Sequence, residues 1–82
     1  MNKQDIAAQA RRLRDDETFQ SVLEAIRQDQ VSVFLNVSAS QEARDVAHLK
    51  VRALAEIESE IKRRIDDASI EQHRKDRHRA ND

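Results

Sequence analysis

Residues 37–68 read VSASQEARDVAHLKVRALAEIESEIKRRIDDA, with neither glycine nor proline. Ala43, Ala47, Leu54, Ile57, Ile61, Ile65 and Ala68 recur there at steps of three, four or seven. At 3.6 residues per turn that spacing gathers them on one side of a helix. Ser38, followed three residues later by Gln41, has the form of a capping box and predicts the start of the helix. A lone helix with an apolar stripe is not stable in water, so the rest of the chain must supply something for it to pack against.

Upstream, residues 3–14 place Ile6, Ala10 and Leu13 on one helical side. Carried through without a break, that helix would leave Phe19 and Ile26 more than a quarter turn away from Leu13. The phase change falls at Asp15–Asp16, where an aspartate can cap a new helix and Glu17 complements the positive end of its dipole. The spacing predicts a kink or short break there; the alternative is one bent helix over 3–36. Phe19, Val22, Leu23, Ile26, Val33, Phe34 and Val37 form the next stripe, with Gln30 in its middle. The β-branched run VSVFLNV would suit a strand, but it keeps the helical phase and has no second strand to pair with.

Asn36-Val37-Ser38 is the expected connection, and so short a link turns two helices antiparallel. The expected fold is all-α: an antiparallel helical hairpin, 17–36 against 38–69, preceded by a short helix at 3–14. Residues 1–70 form the single domain and 71–82 a charged, solvated tail. A three-residue link puts Gln30 near Asp45–Val46, Ile26 near Lys50 and Phe19 near Ile57. Ile61, Ile65 and Ala68 then project past Phe19, to be covered by the 3–14 segment or by another subunit.

The chain has 82 residues, 38% of them apolar, with two phenylalanines as the only aromatics. Chains of this size bury only about 60% of their unfolded surface. Small cores are commonly supplemented by disulfides, metal or oligomerisation. With no cysteine, self-association or docking on a larger assembly is the expected supplement. Fifteen basic and 16 acidic residues leave a net charge of −1, which gives no global attraction to nucleic acid or anionic lipid. No apolar run approaches the roughly 18 residues of a membrane span, and residues 1–16 lack the apolar core of a secretory signal. The expected location is the cytoplasm of a host cell, or a virion.

Sites of chemistry are sparse. His48, His73 and His78 lack the i, i+4 spacing of a helical metal site. Asp15–Asp16 reads as a cap, and Asp66–Asp67 as adjacent helical acids that point apart, not as an acid–base pair. Neither a phosphate-cradling loop nor a dinucleotide fingerprint can form without glycine. The reading is a non-enzyme without cofactor, metal or small-molecule substrate. Of the basic clusters, residues 58–64 carry the i, i+4 pairs Glu58–Lys62 and Glu60–Arg64 and read as a solvated face. Arg11, Arg12 and Arg14 form a second cluster; the third, Arg74, Lys75, Arg77 and Arg79, is the candidate nucleic-acid contact, although 71–82 has only four basic residues against three acidic and no aromatic to stack on a base. Lys50 reads as a snorkelling side chain and Gln30 as a possible register device.

The candidate protein interface has two parts. Leu54, Ile57, Ile61 and Ile65 belong to the stripe and its overhang. Val31, Leu35 and Leu49 form a sparse apolar set near the turn.

The run Leu13-Arg14-Asp15-Asp16-Glu17-Thr18-Phe19-Gln20, then Leu23, then a short turn and Val51-Arg52-Ala53-Leu54, resembles a group of small helical proteins. These are encoded among the head, packaging and connector genes of tailed bacteriophages and prophages. The resemblance spans roughly residues 12–66. It implies a virion or assembly component that acts through helix–helix contacts, with no catalytic residues to carry over. The helix-turn-helix of a typical small terminase subunit is absent, which speaks against that role. The alternatives are a nucleic-acid-associated packaging or regulatory factor using the basic tail, and a small inhibitor that docks on a host protein.

Overall fold

A computed structural model describes the backbone of residues 1–80 and the side chains of residues 1–77. Three helices account for almost all of it: α1 (Lys3–Asp15), α2 (Glu17–Leu35) and α3 (Gln41–Ala80). There is no strand among the described residues. The fold is all-helical, and the β-branched run 31–35 belongs to α2.

The phase change at Asp15–Asp16 is a break one residue wide. Asp16 has extended backbone (φ −73°, ψ 118°) and serves both helices. Its N–H donates to the Leu13 carbonyl, closing α1, and its carboxylate accepts from the Phe19 N–H at 2.7 Å, opening α2. Gln20 Nε2 reaches back over the break to the Arg14 carbonyl at 2.9 Å. At the other end of α1, Asn2 Oδ1 accepts from the Asp5 N–H.

The start of α3 differs from the capping-box expectation. Ser40, not Ser38, caps it: Ser40 Oγ accepts from the Ala43 N–H at 3.1 Å, and the Ser40 carbonyl takes the first helical bond from Arg44. Ser38 is held in a turn by Asn36, whose side chain accepts from the Ser38 N–H. The link is therefore residues 36–40, longer than the expected three. Phe19 lines one cleft with Ile57, as the expected register has it, and with Ile61 one turn further on; nearer the turn, Arg27 pairs with Glu58.

The other end of α3 also departs from expectation. Residues 71–80, read from composition as a solvated tail, continue the helix. Lys75–Glu71 and Gln72–Asp76, both four apart, brace the exposed turns. Asn81 and Asp82 lie outside the described residues.

α1 and α2 both lie along α3, and the contacts run down α3 as the numbering rises. Lys3 approaches Glu71, Gln4 Nε2 donates to the Ala68 carbonyl at 3.1 Å, Arg27 meets Glu58, and the Arg44 guanidinium donates to the Asn36 carbonyl. Of the two covers expected for Ile61, Ile65 and Ala68, α1 is present: Ala68 is buried, and Ile61 and Ile65 are half-buried. The result measures 66 × 23 × 19 Å. Its buried apolar residues are Ala7, Ala10, Leu23, Ala47, Leu54 and Ala68. Four of these six are alanines, so the helices approach closely while little apolar bulk is enclosed.

Candidate protein-interaction face

α1 and α2 both pack along α3, which leaves two broad sides, one lined by more charged side chains than the other. Two clefts that share Phe19 and Ile61 in their lining open there. One, of about 350 Å³, is lined by Arg14, Gln20, Glu58, Lys62 and Asp66 around Ile65. The other, of about 640 Å³, is lined by Ile6, Leu13, Ala53 and Ile57 together with Glu56, Glu60 and Arg64. Side chains three and four apart on a helix share a flank, so each side can be followed along its helix. Arg27 pairs with Glu58 on the charged side. Val31 follows Arg27 by four and lies on that side too. On the apolar side, Val46 and Leu49 precede Ala53 by seven and four, and Val22 and Ile26 occupy the flank of α2 turned away from Arg27.

This apolar side stays open to solvent. Val46 is 46% exposed, Leu49 61%, Ile57 43%, Val22 50% and Leu13 42%. Nothing else in the described chain covers them.

The expected interface residues divide accordingly. Leu54 is 5% exposed and belongs to the chain's own core, so it offers no docking surface in the folded chain. Ile61 and Ile65 are half-buried, and Ile57 is exposed on the apolar side. Val31 and Leu35 are exposed, but helical geometry turns them away from Leu49. The three do not make one patch at the turn, because Leu49 belongs with Val46, Ala53 and Ile57. That second stripe of α3, at 46, 49, 53 and 57, escaped the sequence reading. Its steps of three and four were legible, but they sit beside the stronger alanine–isoleucine stripe and out of phase with it.

Electrostatics is local. Hydrogen bonds from Arg63 and Arg64 hold the Glu60 carboxylate below the usual glutamate range, and the same contact raises Arg63. Glu24 is lowered by hydrogen bonds from Gln28 and Arg27, and Asp15 by one from Arg14, which is raised in return. All five groups are at the surface. Gln30 is buried at 6% exposure, yet its amide donates to the Ile26 carbonyl of its own helix at 3.1 Å. It reaches no neighbouring helix, so the register role expected of it has no cross-helix bond behind it. Lys50, His48 and His73 are exposed. No cluster of three or more His, Asp or Glu side chains that could hold a metal occurs among the described residues.

Arg74, Lys75 and Arg77 stand exposed on the last turns of α3, with Lys75 3.7 Å from Glu71. The side chains of His78 and Arg79 lie outside the described residues. No described helix is long and apolar enough to cross a membrane. No family model, curated protein or solved structure matches the chain.

Proposed function

We propose that the chain is a non-enzymatic, self-associating interaction protein: a helical hairpin with a broken first arm that works through helix–helix contacts. Its setting on this reading is a virion or the assembly of one, as an accessory component of bacteriophage or prophage type, in the particle or the host cytoplasm. The observation that carries the reading is the open apolar side of the molecule. A chain with an alanine-rich core keeps Val22, Val46, Leu49 and Ile57 in solvent along one face, which favours a second helical surface over them. The phage setting draws on the residues at 13–23 and 51–54 and on nothing else.

Sedimentation across a micromolar-to-millimolar range tests the reading. The expected result is a mass that rises above the monomer with concentration. Ile57→Asp should return the species to monomer while helicity by circular dichroism is kept. A monomer at every concentration would sink self-association.

A second reading, nucleic-acid contact through Arg74, Lys75, Arg77 and Arg79, draws on the helical continuation that carries Arg74 and Arg77 out beyond the core on one flank. Such contact must weaken steeply with salt. DNA affinity that is absent at low salt, or unchanged on deleting 71–82, removes it.

A further inference from the structure

We infer that α1 is an exchangeable helix: on self-association the break at Asp16 straightens, α1 leaves its own α3, and it takes the same seat on the α3 of a second copy. The inference rests on the self-association proposed above and names the element that the copies trade.

The break is slight. Asp16 already has a helical φ of −73°, and only its ψ of 118° departs from the helical value near −42°. Residues 3–35 contain neither glycine nor proline. Rotation about that one bond therefore turns α1 and α2 into a single helix of about 50 Å. In the broken form the Phe19 N–H relies on the Asp16 carboxylate, and the Arg14 carbonyl on the Gln20 amide. In the straight form the ordinary helical bonds, Phe19 to Asp15 and Thr18 to Arg14, take their place.

Straightening also re-aims α1. Ala7 and Ala10 are the buried residues of α1, and Leu23 and Gln30 those of α2. Around one continuous helix Ala10 and Gln30 lie about 200° apart, and Ala7 and Leu23 about 160°. With α2 kept on α3 through Leu23 and the Arg27–Glu58 pair, the packing side of α1 turns nearly opposite to its own α3. A helix with two opposed packing sides needs a second surface for the side turned outward.

The surface that fits it is already defined. α1 sits on α3 through the Gln4 amide on the Ala68 carbonyl, Lys3 beside Glu71, and Ala7, Ala10 and Ala68 buried between the helices. Opening leaves that seat empty on each copy, with Ile61 and Ile65 uncovered as well. Exchange refills both seats with the segment that matches them in shape and in charge, so no contact of the closed chain is lost. The hinge and the protein concentration then set the balance.

Glu17→Pro separates the two forms. Position 17 opens α2, where proline fits, and proline holds the residue before it in the extended state that Asp16 has. In the interior of a continuous helix the same proline is disfavoured by roughly a hundredfold. Glu17→Pro is expected to keep the helicity and melting of the dilute parent, yet to need roughly a hundredfold more protein to associate in sedimentation. Asp16→Ala removes a cap that only the broken form uses, and should shift association the other way by about fivefold per hinge. With no cysteine in the chain, paired thiols report the exchange directly. Lys3→Cys chains mixed with Glu71→Cys chains should be joined to one another by a bis-maleimide as long as the two replaced side chains. A chain carrying both substitutions, linked within itself while dilute, should stay monomeric when concentrated. Association of that linked chain or of Glu17→Pro at the parent's concentration overturns the exchange and leaves self-association standing, as does an associated mixture that gives no link between copies. A parent that is monomeric at all concentrations overturns both this inference and the reading beneath it.

Discussion

Asp16 shows how much one side chain can decide. A helix beginning at residue 3 would turn Phe19 and Ile26 away from α3. The Asp16 carboxylate satisfies the Phe19 N–H instead and restarts the helix in a phase that puts Phe19 in the cleft lined by Ile57 and Ile61. Asp16→Ala is expected to cost about 1 kcal/mol, as other lost N-caps do, and to lower the thermal midpoint by several degrees; Asp16→Asn should be nearly silent. Equal melting of Asp16→Ala and the parent would show that packing alone sets the break. Gln30 gives the opposite case. Among the described residues its side chain bonds a carbonyl four residues back on its own helix, so Gln30→Leu strands no buried group and should leave urea stability unchanged or slightly raised. A loss above about 2 kcal/mol would instead reveal a bond to another helix. Glu60 carries the clearest pH signature. Its folded pKa is lowered, first by Arg63 and then by Arg64, so its contribution is present above the ordinary glutamate range of about 4.3 and disappears as pH falls through the folded value. Because the group lies at the surface, where solvent screens it, acid titration of Glu60→Gln against the parent should show only a small difference, confined to that acidic window.

At the level of whole helices, α3 is two segments joined end to end. From Ala47 to Ala68 it is held by α1 and α2; beyond the Lys3–Glu71 approach it runs alone, braced by pairs four residues apart. Such pairs contribute only about 0.2–0.5 kcal/mol each. Amide exchange should therefore be slow across 47–68 and fast across 72–77, and comparable protection in both would mean that a partner covers the end. The same contrast explains what the sequence could disclose. Three helices, the break at Asp15–Asp16 and the helical state of 31–35 were legible, because apolar phase and capping aspartates are local signals. The continuation to Ala80 was not, because a charged run with two supportive i, i+4 pairs has the composition of a frayed end. The start of α3 was misplaced by two residues because Ser38 and Ser40 are both competent caps. Only the Asn36 turn decides between them. The position of α1 over Ala68 was open from sequence, since alanines at 7, 10 and 68 signal close approach only once two helices are known to meet.

For the molecule as a whole, the question is which apolar groups hold the chain together and which are left for others, and Leu54 and Ile57 separate the two. They are three residues apart on α3 and belonged to one expected interface. Leu54 is buried, whereas nearly half of Ile57 faces solvent. Leu54→Ala should cost about 2–4 kcal/mol, the usual loss for a buried leucine, and a domain of this length has only a few kcal/mol to spare. Leu54→Asp, which buries a charge with no partner, should not fold at all, so its loss of assembly would say nothing about the surface. Ile57→Asp should leave monomer helicity intact and act only on association. The measurable consequence is a dependence on protein concentration. A chain stabilised by its own second copy melts higher as it is concentrated. The parent and Leu54→Ala should both show that rise, the latter from a lower starting point, whereas Ile57→Asp should melt at one temperature regardless of concentration. If the parent's midpoint is equally indifferent to concentration, the open face is not covered by a second copy, and the stability of the fold has to come from the alanine-lined contacts of one chain alone.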